Sequence, residues 1–147
     1  MIVKAKEYLQ QLKRLDIVIK QKSKEVDDLH LKSKSIGSID YSKERVQTSP
    51  SGEALFVKLI GRIVDLETEI SQEINTFIDE KHKIINQIQK LNNTDYIRLL
   101  YKRYVEYKSL EHICIEMDFS YDYIKHLHGC ALKDFEDKIL KSTLNNT

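Results

Sequence analysis

The sequence has 147 residues, a formal net charge of +1, 41% hydrophobic residues and 32% charged residues. This length holds one domain, or one small domain joined to an extended element, and the near-zero net charge excludes a polybasic nucleic-acid-binding protein. One Pro, four Gly and no Trp, set against abundant Lys, Glu, Leu and Ile, favour long helices or coiled coils over sheet.

A heptad pattern of apolar residues predicts a first long helix over residues 2–33. The residues of this stripe alternate at spacings of three and four, and they are Ala5, Tyr8, Leu12, Leu15, Ile19, Lys22, Val26 and Leu29. The positions between them are mostly charged, so one face of the helix is apolar and the remainder is hydrated. Lys22 lies within the apolar stripe, which indicates a locally specified contact at that point.

Residues 34–50 lose this pattern and collect Ser, Gly, Thr and the only Pro, which predicts a linker. A second apolar stripe then predicts a second long helix, with a shift of heptad phase between Ile70 and Ile74. This stripe consists of Phe56, Leu59, Ile63, Leu66, Ile70, Ile74, Phe77, Lys81, Ile84, Ile88 and Leu91. The simplest architecture for residues 1–92 is an antiparallel helix pair within one chain, and a coiled-coil dimer that uses both helices is the alternative.

The segment LNNTD at 91–95 ends the second helix, and Asn93 or Thr94 is placed to cap the next one. Three shorter helices follow, predicted at about 93–106, 109–117 and 120–138. The apolar face of the first contains Ile97, Leu100, Tyr101 and Tyr104. We therefore predict a separate compact domain over residues 93–140, with residues 141–147 as a flexible tail.

The stretch EMDFSYDYIKHL, residues 116–127, predicts a sharp turn between two helices. Asp118 is placed to turn the chain, because Asp tolerates the left-handed conformation, and Ser120 is placed to cap the next helix. Phe119 fills the angle between the helices, while Met117 and Ile124 point inward. The apolar spacing around this turn is that of a helix-turn-helix. The predicted fold class is thus all-α: a long helical hairpin or coiled coil followed by a compact three-helix helix-turn-helix domain.

Residues 109–135, SLEHICIEMDFSYDYIKHLHGCALKDF, resemble the fourth conserved region of sigma-70-type factors without gaps. Family features in register are the Leu-Glu-x-Ile helix, a Ser cap, the recognition helix and an Ala-Leu tail. IRLLYKRYVEY at 97–107 resembles the preceding helix of that family. A long coiled coil joined to such a domain is similar to phage-encoded late-operon transcription regulators of the ArpU- and RinA-like group.

The resemblance implies that the second helix of the motif reads promoter DNA in the major groove. The expected base-facing residues are Tyr121, Asp122, Tyr123, Lys125 and His126. The expected phosphate contacts are Ser120, Lys102, Arg103, Lys108 and Lys133. Residues 93–147 carry eight Lys or Arg against nine Asp or Glu, so one domain alone is expected to bind DNA weakly. This charge favours a homodimer through the coiled coil, a partner such as RNA polymerase, or help from the basic first helix.

Other chemistry is poorly represented in the sequence. Cys114 and Cys130 form no Cys-x-x-Cys pair, so we expect no zinc site and no other cofactor. There is no Gly-rich phosphate loop and no nucleophile with a nearby base, so we do not expect an enzyme or a small-molecule substrate. No apolar run approaches the roughly 18–20 residues of a membrane-spanning helix, and the amino terminus does not resemble a signal peptide. We expect a cytoplasmic protein of a bacterial host cell, with double-stranded DNA as its partner and no membrane.

Two other functions fit the same pattern. One is a coiled-coil adaptor that docks on RNA polymerase with little DNA contact of its own, which a nearly neutral motif would favour. The other is a DNA-packaging recognition subunit, since a helix-turn-helix joined to a coiled coil also suits that task.

Overall fold

The computed structural model describes residues 2–37 and 50–145, which contain helices and no strand. The α-helices are α1 (Ile2–Gly37), α2 (Pro50–Gln89), α3 (Thr94–Leu100), α4 (Leu110–Met117), α5 (Tyr121–Phe135) and α6 (Lys141–Asn145). A π-helical turn, Tyr101–Val105, continues α3, and a second one, Glu136–Leu140, joins α5 to α6. The predicted all-α class is confirmed.

The ends of two predicted segments differ from the structure. α1 continues to Gly37, so residues 34–37 of the predicted linker are helical, and residues 38–49 lie outside the described residues. Residues 141–145 of the predicted tail form α6. Hydroxyl side chains near both ends donate to carbonyls one turn back, as Ser33 Oγ does to His30 O at 2.8 Å and Thr143 Oγ1 to Ile139 O at 2.8 Å. Bonds of this kind satisfy the hydroxyl within a helix and so allow it to continue.

The chain divides into two compact units. The first contains Met1–Asp16 and Phe77–Thr147, and the second contains Ile17–Thr76. Each long helix therefore contributes residues to both units. The domain boundary expected between residues 92 and 93 falls inside the first unit.

The first unit is built on one buried cluster that includes residues from all its long elements. Its members are Ala5, Leu9, Leu12, Ile84, Ile88, Leu91, Leu100, Tyr104, Val105, Ala131, Leu132, Phe135 and Ile139. Tyr8 packs its ring 6.0 Å from that of Phe135 and donates a hydrogen bond from its hydroxyl to Gln87 Oε1 at 2.5 Å. The shorter helices were expected to form a domain of their own. They instead share a core with α1 and α2, because the apolar stripe of α5 needs a covering surface.

The π-helical turn after α3 changes which residues are buried. Tyr101 was predicted on the apolar face but is exposed, whereas Tyr104 and Val105 are buried. A π-turn takes up an additional residue, so the positions after it rotate relative to an α-helical pattern. Before the turn, Leu99 joins a second buried cluster and Leu100 joins the first. The second cluster contains Leu99, Ile113, Met117, Ile124 and Leu127.

Tyr104, a buried member of the main cluster, forms a polar pair with the half-buried His128. The hydroxyl of Tyr104 and Nε2 of His128 are 2.7 Å apart, and the two rings stack with centroids separated by 5.7 Å. Burial lowers the pKa of His128 to about 4 and raises the pKa of Tyr104 to about 12. Both groups are therefore neutral at ordinary pH, which suits a hydrogen-bonded pair at the edge of an apolar core.

In the second unit, α1 and α2 run antiparallel, and an ion pair lies within their contact. Lys22 Nζ contacts Glu73 Oε1 and lies 3.5 Å from Glu69 Oε2. The hydrogen bond from Lys22 to Glu73 is the main reason that the pKa of Lys22 is raised. This pair explains the lysine in the predicted apolar stripe. The predicted shift of heptad phase between Ile70 and Ile74 is therefore wrong. Glu73 takes the position that faces α1, where it contacts Lys22, and Ile74 is exposed.

The shared core predicts that the helix-turn-helix depends on α1 for its stability. Leu9→Ala should lower the free energy of unfolding of the first unit by about 2–5 kcal/mol, because it opens a cavity in a fully buried site. Amide hydrogen exchange should accelerate in α5 as well as in α1. Leu31→Ala, which truncates an exposed leucine on the same helix, is the matched control. Unchanged exchange in α5 of the Leu9 variant would show that the helix-turn-helix folds independently.

Candidate nucleic-acid interface

The turn between α4 and α5 is made by one residue in the left-handed conformation. Asp118 has φ 58° and ψ 45°. The amide of Phe119 donates to Cys114 O at 3.0 Å and the amide of Asp118 to Ile115 O at 3.3 Å, the pair of bonds that closes a Schellman motif. Phe119 then packs against the second buried cluster. The predicted roles of Asp118 and Phe119 in the turn are confirmed.

α5 begins immediately after this turn, and its first residue is fixed by a side-chain cap. Ser120 Oγ accepts a hydrogen bond from the amide of Tyr123 at 3.1 Å, as predicted. Ile124 and Leu127 are buried beneath α5 in the second cluster. Because these two positions define the inner face, the outer face of the first two turns is determined by helical geometry.

The five residues predicted to face bases all lie on the exposed part of α5. They are Tyr121, Asp122, Tyr123, Lys125 and His126. The ammonium of Lys125 lies 4.7 Å from the centre of the Tyr121 ring and 3.5 Å from Asp122 Oδ1. The ring of Tyr123 packs edge-on against Phe119, with centroids 4.9 Å apart. Tyr123 therefore belongs to the rim of the turn, and the other four form the open surface.

Glu111 of α4 adds an acidic group beside this surface, which the sequence did not reveal. The pKa of Glu111 is lowered, first by a hydrogen bond from its own backbone amide at the start of α4 and also by hydrogen bonds from Tyr121 and Ser109. The hydroxyl of Tyr121 therefore lies near the Glu111 carboxylate. The spacing of Glu111 and Tyr121 in sequence gives no sign of this contact, because it depends on how α4 and α5 are placed by the turn.

Two of the predicted phosphate contacts are held by one carboxylate. Lys102 Nζ lies 2.5 Å from Glu116 Oε2, and Lys108 Nζ lies 2.7 Å from Glu116 Oε1. His112 Nε2 is 2.8 Å from the same Oε1 atom. Hydrogen bonds from Lys102 and then Lys108 lower the pKa of Glu116 to about 2. We call Glu116, Lys102 and Lys108 the Glu116 cluster; it ties the segment after α3 to the end of α4.

The remaining phosphate candidates differ in how they are placed. Arg103 Nη1 donates to the carbonyl of Lys108 at 2.9 Å, so its guanidinium is used within the protein. Ser120 Oγ is used as the cap of α5. Lys133 is exposed on the last turn of α5. The structure therefore brings together Lys102, Arg103 and Lys108, but as intramolecular contacts and not as an open basic patch.

The arrangement is suited to recognition by shape and hydrogen bonding more than by charge. Tyr121, Asp122, Lys125 and His126 offer hydroxyl, carboxylate, ammonium and imidazole groups on one exposed face. Lys125 and Asp122 balance each other in charge. Among the described residues, no group of three or more His, Cys, Asp or Glu side chains is placed to hold a metal ion. Of the described helices, none is both long and apolar enough to cross a membrane.

Comparison with known proteins identified no similar protein. No family model, no curated protein and no solved structure matches the chain. The resemblance of residues 109–135 to sigma-type factors stays a prediction from sequence.

The backbone of the turn predicts opposite effects for two substitutions. Asp118→Gly should raise the free energy of unfolding by up to about 1 kcal/mol, because glycine adopts positive φ without steric cost. Asp118→Val should lower it by at least about 1 kcal/mol, because a β-branched residue fits the left-handed region poorly. Urea unfolding followed by circular dichroism measures both. Equal stability of the two variants would contradict the left-handed turn.

Proposed function

We propose that this chain is a transcription regulator that binds double-stranded DNA and places α5 in the major groove. The observation that carries the proposal is the α4–turn–α5 motif itself, in which the left-handed Asp118 and the Ser120 cap leave the first two turns of α5 exposed. In helix-turn-helix proteins the corresponding part of the second helix contacts base edges. The sequence resemblance to sigma-type factors supports promoter or operator DNA as the target.

The exposed groups on α5 have the chemistry that base reading requires. Lys125 can donate to the O6 and N7 acceptors of guanine, and Asp122 can accept from the N4 amino group of cytosine. His126 can donate or accept. Tyr121 offers its ring to a thymine methyl group, next to the ammonium of Lys125. A cytosine or guanine contact would replace the ion pair between Lys125 and Asp122, which is a weak exposed pair.

Phosphate binding is proposed at the amino-terminal end of α5 and at the Glu116 cluster. The first amides of a helix attract anions, and Ser120 directs the start of α5. Lys102 and Lys108 are held by Glu116 in the free protein, so binding a phosphate requires them to exchange a carboxylate for it. This exchange contributes less binding free energy than the contact of a phosphate with a hydrated lysine. We therefore expect modest affinity for non-specific DNA.

The pairing of these lysines also favours a second candidate function. A protein whose basic side chains are engaged by its own acidic groups can serve as an adaptor that docks on RNA polymerase through the same exposed face. The Glu116 cluster and the Lys125–Asp122 pair are the observations that support it. In this case α5 would contact protein and the full chain would show little salt-dependent DNA affinity.

Selection of bound sequences from a random double-stranded DNA library tests the first proposal. Wild-type protein should enrich a defined site, and Tyr121→Ala and Lys125→Ala should each weaken binding to that site by about 5- to 150-fold, the effect of losing one good base contact. Lys83→Ala removes an equal charge from an exposed position on α2 and is the matched control. It should change affinity for the site much less.

The DNA-reading proposal would be overturned in favour of the adaptor by two results together. The selection would enrich no site, and the chain would bind purified RNA polymerase in the absence of DNA. Enrichment of a site to which the Tyr121 and Lys125 variants bind as wild type would reject α5 as the reading element.

The Glu116 cluster predicts a gain of affinity from a single substitution. Glu116→Gln should strengthen DNA binding, because it releases Lys102 and Lys108 for phosphate contact, and should steepen the dependence of log K on log salt concentration by about 1–2. Glu7→Gln makes the same change of charge at an exposed position on α1. Fluorescence anisotropy over a salt series measures both variants. An equal gain in both would indicate a uniform charge effect, and no gain in either would place the two lysines away from DNA.

A further inference from the structure

α2 carries a second apolar stripe, one residue out of step with the stripe that packs against α1. Its positions are spaced three and four apart within the second unit, and they are Val57, Ile60, Val64, Glu67, Ser71 and Ile74. We call these six residues the outer seam. It extends over about 26 Å of helix at 1.5 Å per residue. Four of its six positions are β-branched and apolar, as in the contact seam of a coiled coil.

The outer seam is uncovered in the structure. Val57 is 69% exposed, Val64 is 54% exposed and Ile60 is 38% exposed, and Ile74 is also exposed. The positions that flank the seam on its far side are Gly61, Thr68 and Asn75, which carry no charge. A Cβ atom placed on Gly61 would meet nothing within 4 Å. An approaching helix would therefore meet small, uncharged side chains along this flank.

The second unit also buries very little of its own apolar surface. Among its described residues, only Val26, Ser33 and Ile63 are buried. Helices in proteins derive most of their stability from packing of an apolar face, and a single line of contact between two helices supplies little of it. Among the described residues of this unit, the outer seam leaves Val57, Ile60, Val64 and Ile74 exposed. On the described part of α1, the exposed large hydrophobic residues are Ile17 and Leu31. They are two full heptads apart, which is too far for them to form a continuous stripe.

We propose that the outer seam is the site at which a second copy of this chain docks, seam against seam. A heptad stripe is matched by another stripe of the same period, and the outer seam itself is the one such exposed stripe in the described part of this unit. A symmetric pair of α2 helices would cover the part of each seam from Val64 to Ile74 and convert two helix pairs into a four-helix arrangement. This contact leaves the α1–α2 contact intact, so the chain keeps its hairpin within each copy.

The polar residues of the outer seam favour an antiparallel pairing. In a parallel, in-register pair, Glu67 would face Glu67 of the second copy, and like charges at a seam are repulsive. In an antiparallel pair with Val64 opposite Ile74 of the second copy, Glu67 lies opposite Ser71, whose hydroxyl can donate to the carboxylate. The apolar layers then flank two equivalent polar layers. Within one copy Glu67 also lies 3.5 Å from Nε2 of His30.

Sedimentation equilibrium of the full chain without DNA tests this proposal independently of the proposed function. Wild-type protein should form a dimer at micromolar concentrations. Val64→Glu should raise the dimer dissociation constant at least about 10-fold, the equivalent of 1.4 kcal/mol, because it buries a charge against an apolar layer. Ile74→Lys, at the position opposite Val64 in this register, should have the same effect.

Leu55→Glu is the matched control, because it places a charge at an exposed leucine of α2 outside the outer seam. It should leave the dimer unchanged, and circular dichroism should show the same helix content in all variants. A monomeric wild type would overturn the proposal and leave the seam to a different protein. A dimer that is weakened equally by Leu55→Glu and by the seam variants would also overturn it, as would an assembly larger than two copies.

Discussion

The contact of α5 with the long helices is the constraint on which the first unit depends. Phe135, at the end of α5, is fully buried beside Leu9 and Leu12 of α1. These residues are more than a hundred positions apart in sequence. The outer face of α5 is exposed in a fixed orientation because its inner face is held in this way, at its carboxyl end by the shared core and near its start by Ile124 in the second cluster. The helix-turn-helix is therefore part of a larger folded unit.

Local chemistry was predictable from sequence, whereas long-range packing was not. The roles of Asp118 and Ser120 follow from backbone preferences and capping, which act over a few residues, and both were predicted correctly. The exposure of Tyr101 follows from a π-turn, for which the heptad pattern gives no signal. The inward position taken by Glu73 in place of Ile74 depends on Lys22 of the other helix. The hydrophobic pattern shows which face of a helix is apolar. The helix that packs against this face determines which residues at its edges are buried.

The candidate interface combines exposed hydrogen-bonding groups with basic side chains that already have partners. Non-specific DNA affinity comes chiefly from phosphate neutralisation, while discrimination between sequences comes from base contacts. If α5 reads DNA as proposed, holding Lys102 and Lys108 on Glu116 would reduce the first contribution and leave Tyr121 and Lys125 for the second. In the proposed function, this raises the ratio of specific to non-specific binding at the cost of total affinity.

The proposed dimer would compensate for that cost without additional charge. When two reading helices belong to one assembly, binding of the first to a half-site makes binding of the second an intramolecular event, and the gain depends on effective concentration. Such a gain applies only to DNA that carries both half-sites, so it strengthens specific binding more than non-specific binding. In the proposed function, the outer seam on α2 would thus offset the low affinity expected from the neutral face of α5. The seam residues Val64 and Ile74 would influence DNA affinity through the number of copies bound and not through any contact with DNA.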